Sequence, residues 1–420
     1  MVNALPTIGF CGLGAMGGGM ACNLAKEGFP IQGFDVYPPS MDKLVAAGGT
    51  SSKSPAEAAK GKEFLILMVV NDKQADSVLF DGGAIEAMDK GKTVMLCSTV
   101  PPVYLKTLRE HIDSVGRSDL KLLDCPVSGG SIRAAAGTLS IFSSGPDEDL
   151  DHADVVLKAM SDPLYRIKGG ISMGQVAKMC HQHQAATNII MASEAMGLAA
   201  AVGLNTQEVY DKVCKSIGRS WMFENRGPHM LANDYHTVHS ATTIILKDAT
   251  IVTNHAKSAF FPLPLENMAE QLYIQGCHAG FAKDDDAGLC RMFMPSPTLV
   301  GELTTSAATT EGKYGVTVDD IINLMAGVEL ASTRECMAFA KFVGLDLELL
   351  LDIINKGAGA SNTYEKTASA MVKAGLVNFK PIADAAEIRD KLEASIKKTE
   401  AFHQYLPMSS AALQELNYYL

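Results

Sequence analysis

The sequence predicts an α/β domain built on a parallel sheet, followed by a region that is helical throughout. Over residues 1–168, short apolar runs alternate with amphipathic segments, as strands and crossover helices do in a parallel sheet. From about Gly169 onward, the apolar residues recur at helical spacing instead. The chain has 420 residues, which is too long for one ordinary core. We therefore expect two or three domains.

The first element is a short apolar strand that runs into a glycine-rich turn. Residues 7–11 form the strand, and a helical pattern that stops at Gly28 follows the turn. In this setting glycines permit a tight bend and bring backbone N–H groups to a pyrophosphate at the helix N-terminus. We predict a Rossmann-type dinucleotide-binding domain over residues 1–168. The predicted cofactor contacts in the turn are Gly12, Leu13, Gly14, Ala15, Met16 and Gly17.

An acidic residue ends the second predicted strand. Asp35 lies 18 residues after Gly17, about where a carboxylate binds the ribose hydroxyls of the adenosine half. No arginine follows it, and a carboxylate repels a 2′-phosphate, so NAD is favoured over NADP. The alternative interpretation of Asp35 is a solvated turn residue.

Polar or small residues follow the later strands of this domain. Three apolar runs have the length and composition of buried parallel strands, namely residues 64–70, 93–97 and 121–124. Ligands in such a sheet bind beyond the carboxyl ends of the strands. Asn71, Thr99 and Ser128 follow these ends, and we expect them to surround one crevice. For Asn71, the N-cap of a following helix is an equally good interpretation.

A small-residue loop follows the third of these strands. Ser128, Gly129 and Gly130 can bring a hydroxyl and backbone N–H groups close to a carboxylate, because two of the three have no side chain. This loop predicts that the substrate is a carboxylic acid.

A long helix is predicted over residues 172–202, ended by Gly203. Lys178, His181 and Gln182 lie on one face of it or at the margin of that face, by helical spacing. An ammonium group and an imidazole on an otherwise apolar helix cost free energy unless they have a partner. The helix directly follows the dinucleotide domain, so we predict that these residues border the crevice. His183 is interpreted as a structural histidine.

Charge and cysteine usage exclude several classes of function. The net charge of −11 and a pI near 5.4 argue against nucleic acid or an anionic membrane as partner. The nine cysteines show neither CxxC nor zinc-site spacing, so we expect reduced thiols, no metal and a cytoplasmic protein. The N-terminal residues run directly into the first predicted strand, so we expect no signal or transit peptide.

The helical region contains an internal repeat. A shift of 141 residues without gaps superposes Glu194 on Glu335 and the Val-Gly-Leu sequence at 202–204 on that at 343–345. We predict a catalytic helical domain at residues 169–300 and a repeat of it at residues 301–420. The shift places Asp319 opposite Lys178 and Ile322 opposite His181, so the repeat lacks the candidate chemical groups and has an architectural role.

These residues together resemble the β-hydroxyacid dehydrogenase family, which includes 3-hydroxyisobutyrate dehydrogenase and tartronate semialdehyde reductase. Four signatures match in order: the turn at 12–17, Ser-Thr-Val-Pro at 98–101, Asp-Cys-Pro-Val-Ser-Gly-Gly at 124–130, and Gly174 four residues before Lys178. The resemblance implies a dinucleotide domain, a helical domain of the 6-phosphogluconate dehydrogenase type and NAD(P)-dependent oxidation of a hydroxy acid.

The resemblance also implies roles for individual residues. Lys178 would be the catalytic acid/base, and Ser128 to Gly130 would bind the substrate carboxylate. Thr99 would lie on the nicotinamide side of the site, and Lys247 would belong to the closed cofactor pocket. Relatives that do not catalyse, or that reduce imines, commonly replace the lysine, and the presence of Lys178 argues against both functions.

His181 and Gln182 depart from the asparagine that the family usually has three residues after the lysine. The pair is similar to the L-threonate dehydrogenase subgroup, as is the Ser-Trp-Met-Phe-Glu-Asn-Arg sequence at 220–226. Extra hydrogen-bonding groups suit a polyhydroxy acid. One alternative activity is oxidation of 3-hydroxyisobutyrate. The other is reduction of tartronate semialdehyde or succinic semialdehyde, as in a glyoxylate reductase.

The resemblance also bears on assembly. Helical domains of the family commonly pack against the counterpart in a partner subunit. We therefore expect a monomer or a homodimer, in which the repeat replaces a subunit contact.

Overall fold

The computed structural model describes residues 4–237, 240–307, 310–373 and 384–420. The chain divides into two compact units, Met1–Lys178 and Met179–Leu420. The domain boundaries expected at residues 168 and 300 remain predictions.

The first unit is built around a parallel sheet. Its strands within the described residues are β1 (Ile8–Cys11), β2 (Ile31–Phe34), β3 (Thr50–Ser51), β4 (Phe64–Leu67), β5 (Thr93–Leu96), β6 (Lys121–Asp124), β7 (Val127–Ser128), β8 (Leu139–Ser143) and β9 (Ser161–Arg166). The first six form one sheet in the order β3-β2-β1-β4-β5-β6, with every pair parallel and Ile8 opposite both Ile31 and Phe64. This is the strand order of a dinucleotide-binding fold, so the predicted fold class is confirmed.

Helices cover the sheet of the first unit and complete two cores. They are α1 (Ala15–Lys26), α2 (Pro38–Ala46), α3 (Pro55–Ala59), α4 (Asp72–Asp76) with a π-helical turn at Ser77–Asp81, α5 (Ala84–Ala87), α6 (Pro102–Ser114), α7 (Gly130–Ala135) and α8 (Asp147–Met160). Alternate strand residues enter opposite cores: Phe64 and Ile66 pack with Leu24, whereas Leu65 and Leu67 pack with Leu105. Burial of each such side chain stabilises the unit by about 1.5–3 kcal/mol.

The fourth strand is shorter than the sequence predicts. Residues 64–70 were expected as strand, but β4 ends at Leu67. The N–H of Val69 donates to Ser98 Oγ at 2.8 Å, and the N–H of Val70 donates to Gln74 Oε1 at 2.9 Å. Because side chains take these donors, the sheet ladder cannot continue, and the strand ends at Leu67.

The long helix α9 (Met173–Val202) agrees with the predicted helix at residues 172–202. Ser172 precedes it with a φ of 87°, and Gly203 ends it with a φ of 83°. Among the described residues, α9 is the one helix long and apolar enough to cross a membrane, and its apolar stretch is entirely buried within the protein. This burial is that of a core helix.

The second unit is helical throughout its described part, as predicted. After α9 come α10 (Thr206–Val213), α11 (Trp221–Ala232), α12 (Thr242–Ser258), α13 (Pro264–Gly276), a π-helical turn at Cys277–Phe281, a 3-10 helix at Asp286–Phe293, α14 (Leu299–Glu302), a 3-10 turn at Lys313–Gly315, α15 (Val318–Phe342), α16 (Leu347–Asn355), α17 (Asn362–Lys373), α18 (Ala385–Lys398), a 3-10 helix at Glu400–Tyr405 and α19 (Pro407–Tyr419).

Candidate active site

The glycine-rich turn packs closely at two glycines and is open at the third. A side chain at Gly12, whose φ is 93°, would overlap the carbonyl oxygen of Met68, and one at Gly17 would overlap the carbonyl oxygen of Gly12. A Cβ at Gly14 would meet nothing within 4 Å. The turn therefore packs against the sheet while leaving an open face at the N-terminus of α1. This face fits a pyrophosphate bound by backbone N–H groups.

Asp35 lies against this turn at the carboxyl end of β2. Its carboxylate accepts hydrogen bonds from the N–H of Leu13 at 2.6 Å and from the N–H of Tyr37 at 2.8 Å. The chain thus holds a half-buried carboxylate beside the glycines, and the adjoining Ala15 is exposed. The predicted contact of Asp35 with the ribose hydroxyls remains a prediction.

The loops after β4 and β5 are joined by side chains. Ser98, which is fully buried, accepts the N–H of Val69, and Asn71 is the N-cap of α4, with its Oδ1 accepting from Gln74 N at 3.0 Å. Thr99, next to Ser98, is half-buried. The cap uses only the amide oxygen of Asn71, so it is compatible with a cofactor contact through the amide nitrogen.

Asp124 is a buried residue that fastens the start of α9, a role that the sequence reasoning missed. It is fully buried at the end of β6, and its oxygens accept from Gln175 N and Gln175 Nε2, both at 2.9 Å, and from Ser144 Oγ at 3.1 Å. Burial raises the pKa of Asp124 to about 7, while these hydrogen bonds oppose the rise. All three groups donate hydrogen bonds to Asp124, so its carboxyl group acts as the acceptor here.

Gln175 fastens the first turn of α9 to the strand ends. Its side chain donates to Ser98 O at 2.9 Å and accepts the N–H of Val100 at 3.1 Å, in addition to its bonds with Asp124. Gly174 allows this close approach, because a Cβ there would lie 2.8 Å from Asp124 Oδ2 and would overlap the carbonyl oxygen of Phe142. The helix start is therefore fixed to the carboxyl ends of β5 and β6.

Lys178 follows Gln175 by one turn and lies on the same face of α9, by helical spacing. Its side chain is buried, with 5% of the residue exposed. The only sequence signal for this docking was a buried strand ending in an aspartate, together with a glycine shortly before the lysine.

The serine-glycine loop has the backbone that only glycine adopts readily. Ser128 is buried in β7, opposite Ser140 of β8. Gly129 and Gly130 follow with φ of 137° and 71°. A Cβ at Gly129 would lie 3.0 Å from Arg133 Cδ, whereas one at Gly130 would meet nothing within 4 Å. The loop thus presents an open backbone surface that fits a carboxylate.

A hydrogen-bonded chain of side chains lies in the second unit. His181 Nδ1 is 3.0 Å from Gln182 Oε1, Gln182 Nε2 donates to Asp248 Oδ2 at 2.6 Å, and Lys247 Nζ lies 3.1 Å from Asp248 Oδ1. Because a carboxylate only accepts, the amide nitrogen of Gln182 faces Asp248 and its oxygen faces His181. Nδ1 of His181 therefore carries a hydrogen. In the neutral imidazole, this makes Nε2 the acceptor, and the whole side chain of His181 is buried.

Two family models match the chain. A model described as the NAD binding domain of 6-phosphogluconate dehydrogenase matches residues 7–174. A model described as NAD-binding of NADP-dependent 3-hydroxyisobutyrate dehydrogenase matches residues 172–293 and 314–417. The chain belongs to the β-hydroxyacid dehydrogenase family.

Individual members of the family agree with this assignment. L-threonate dehydrogenase from Cupriavidus necator is 39% identical over 287 residues, which cover 68% of this chain and 95% of the relative. The crystal structure of 3-hydroxyisobutyrate dehydrogenase from Salmonella typhimurium has a TM-score of 0.64 and 35% identity, and the match covers 68% of this chain and 99% of that one. This β-hydroxyacid dehydrogenase is thus an NAD(P)-dependent oxidoreductase that acts on hydroxy acids.

A longer relative shares the fold alone. The 6-phosphogluconate dehydrogenase of Plasmodium falciparum is 16% identical, with a TM-score of 0.70, and the match covers 98% of this chain and 92% of that one. The fold likeness therefore extends over the helices that follow the first 300 residues.

Proposed function

We propose that this enzyme oxidises a small polyhydroxy acid of the L-threonate type to the 2-oxo acid, with NAD as the electron acceptor and Lys178 as the acid/base. The observation that carries the proposal is the docking of α9. Gln175 is bonded to Ser98 and Asp124 at the carboxyl ends of two strands, and Lys178 comes one turn later on the same helix face.

In this mechanism the chain binds and orients the acid and moves one proton. Ser128, Gly129 and Gly130 bind the carboxylate through a hydroxyl and backbone N–H groups. Neutral Lys178 takes the hydroxyl proton at Nζ as the C–O bond becomes a carbonyl. When bound, NAD would supply the hydride acceptor that no side chain of the protein provides. In the reverse direction, the ammonium group of Lys178 returns the proton to the oxygen.

The cofactor contacts follow from the glycine-rich turn and its neighbours. The backbone of residues 12–17 would bind the pyrophosphate, and Asp35 the adenosine ribose. Asn71 and Thr99 would contact the nicotinamide half, and Lys247 would add a cationic contact. A carboxylate beside the turn repels a 2′-phosphate, which favours NAD over NADP.

For the substrate, His181 and Gln182 favour a compound with several hydroxyl groups. His181 and Gln182 supply hydrogen-bonding groups beyond those that bind the carboxylate, as a second or third substrate hydroxyl requires. The likeness to L-threonate dehydrogenase at 39% identity supports the same class. The alternative is a 3-hydroxyisobutyrate dehydrogenase, or a tartronate or succinic semialdehyde (glyoxylate) reductase, and the Salmonella structure with 35% identity favours the first of these. The nine free thiols support a cytoplasmic location.

A panel of hydroxy acids tests the substrate proposal. The purified enzyme is assayed with L-threonate, 3-hydroxyisobutyrate, L-serine and glycerate, each with NAD and with NADP. We expect the highest kcat/KM with L-threonate and NAD. A higher kcat/KM with 3-hydroxyisobutyrate would favour the alternative.

Asp35→Ala tests the cofactor proposal. Loss of the repelling carboxylate is expected to lower the NAD-to-NADP ratio of kcat/KM by about tenfold. Asp42→Ala is the control, because it removes the same charge from an exposed position on α2. If both variants keep the ratio of the unaltered enzyme, Asp35 does not select the cofactor.

A further inference from the structure

The two halves of the second unit touch through equivalent residues. Trp221 N donates to Ala360 O at 2.8 Å, and Asn362 N donates to Arg219 O at 2.9 Å, on either side of the paired Ser220 and Ser361. Trp221 and Asn362 are 141 positions apart, as are Arg219 and Ala360. In a two-fold contact, whenever residue i touches j, the equivalent of j touches the equivalent of i. This backbone pair obeys that rule.

Two glycines repeat the same reciprocity. A Cβ at Gly359 would lie 2.9 Å from Gln184 Cβ and 3.4 Å from His181 O on α9. A Cβ at Gly218 would lie 3.1 Å from Met325 Cβ and 3.1 Å from Ile322 O on α15. The two glycines are 141 positions apart, as are His181 and Ile322, and Gln184 and Met325. The loop of each half therefore packs on the long helix of the other.

Two buried glutamates form a third reciprocal pair. Glu194 on α9 accepts from Met408 N at 2.8 Å and Ser409 N at 3.0 Å, at the start of α19. Glu335 on α15 accepts from Leu265 N at 3.0 Å and Glu266 N at 2.9 Å, at the start of α13. Each carboxylate caps a helix of the opposite half.

The loop of the second half also meets the proposed substrate site. A side chain at Gly357 would overlap the Nε2 edge of the His181 imidazole, so the backbone passes directly against that ring. Asn188 Nδ2 donates to Gly359 O at 3.3 Å and fastens the loop to α9. The position equivalent to His181 in the other half is Ile322, which has no polar side-chain atom.

We infer that residues 314–417 are a second copy of the helical module, fused in the position of a two-fold partner, and that the copy's loop 356–361 positions His181 for substrate. The first part stands on the three reciprocal contacts. The second part rests on the proposed function, because it takes His181 as a substrate contact. His181 thus binds, and the loop acts through it.

A matched pair of glycine variants tests the positioning role. Gly359→Ala and Gly218→Ala add the same methyl group at equivalent, similarly close contacts, so both are expected to lower Tm by similar amounts. Only Gly359→Ala presses on α9, at Gln184 Cβ about one turn after His181. We expect it to raise KM for L-threonate by about tenfold while KM for NAD changes little, since a small misplacement of a binding group has large effects. Gly218→Ala should keep both KM values.

A double variant guards against misfolding. Gly357→Ala overlaps the imidazole and also the carbonyl oxygen of Ile353, and the added His181→Ala removes the first of these overlaps. We expect the second substitution to raise Tm above that of Gly357→Ala and to leave KM for L-threonate equal to that of His181→Ala alone. Additive effects on Tm and KM would overturn the inference.

The outcomes separate the inference from the proposed function. If the unaltered enzyme reduces NAD with L-threonate, but Gly359→Ala and Gly218→Ala affect KM alike, the positioning role is wrong and the function stands. If none of the hydroxy acids in the panel supports NAD reduction by the unaltered enzyme, the proposed function is wrong. The positioning role, which depends on it, is then wrong as well. The coupling of positions 357 and 181 in Tm still tests the packing.

Discussion

Helices α9 and α15 make the same packing contacts but carry different chemistry. Each is a long buried helix with a glutamate, Glu194 or Glu335, that caps the start of a helix in the other half. At the positions of Lys178 and His181 on α9, however, the sequence of α15 has an exposed aspartate and a half-buried isoleucine.

This difference separates two kinds of buried polar residue. The glutamates satisfy backbone N–H groups that would otherwise be buried without a partner, so both halves need them to fold. Glu194 and Glu335, which the two helices share, therefore indicate structure. Lys178 and His181, whose chemistry α15 lacks, are the candidates for function.

The largest expected effect concerns Lys178 and its counterpart Asp319. Lys178→Ala removes the acid/base and should lower kcat by on the order of 10²-fold or more, with NAD binding retained. Asp319→Ala should leave kcat within about twofold, as exposed substitutions away from a site commonly do. Steady-state assays and NAD titrations check both variants. Near-normal turnover of Lys178→Ala would rule this residue out as acid/base.

The next pair is His181 and Ile322. His181→Ala removes one hydrogen bond to substrate and should raise KM for L-threonate by about tenfold, equivalent to ~1.4 kcal/mol. Ile322→Ala should leave KM unchanged and lower the free energy of unfolding by about 1–2 kcal/mol, because the side chain is only half-buried. Steady-state kinetics measure KM for both variants, and urea unfolding measures their free energies of unfolding. A KM change in the Ile322 variant would remove the functional contrast between the helices.

The two glutamates should have similar effects on stability. Glu194→Gln and Glu335→Gln each turn an N–H toward a backbone donor and should lower the free energy of unfolding by about 1–3 kcal/mol. Glu335→Gln should cost more, because this carboxylate also pairs with His183 Nε2 at 2.9 Å. Urea unfolding measures both. If either substitution is neutral, the reciprocal caps are not equivalent in energy.

The last comparison concerns the pH dependence of the Glu194 cap. Burial raises the pKa of Glu194 from 4.5 to about 7, with hydrogen bonds from Ser409 and Met408 opposing the rise. The folded state therefore binds a proton more tightly than the unfolded state, and the resulting stability is present below 4.5 and lost as pH rises through about 7. The stability of the unaltered protein relative to Glu194→Gln should fall over that interval. A constant difference would show that Glu194 does not titrate there.

Local patterns were enough to predict the strands, the glycine-rich turn and the long helix. Ile8–Cys11 and Lys121–Asp124 are short apolar runs bounded by turn-forming residues. Helix α9 has a helical pattern with Gly203 after its end. Such signals lie within a few neighbouring residues, so the sequence carries them directly.

Contacts between distant residues could not be predicted in this way. The bonds of Asp124 to Gln175 join positions 51 apart, and Gln182 reaches Asp248 across 66. A buried aspartate after a strand signals that a partner exists, but only the folded chain identifies the partner. The predicted end of β4 at residue 70 was wrong for the same reason: the N–H of Val69 donates to Ser98, a residue 29 positions away.

The most direct test of the central claim is the stoichiometry of the reaction with L-threonate. The unaltered enzyme is incubated with NAD and L-threonate, reduced cofactor is measured by absorbance, and the organic product is identified by mass spectrometry. We predict one 2-oxo acid for each reduced cofactor, with both formed on the order of 10²-fold more slowly by Lys178→Ala. Binding of NAD without its reduction by any hydroxy acid of the panel would contradict the proposed activity.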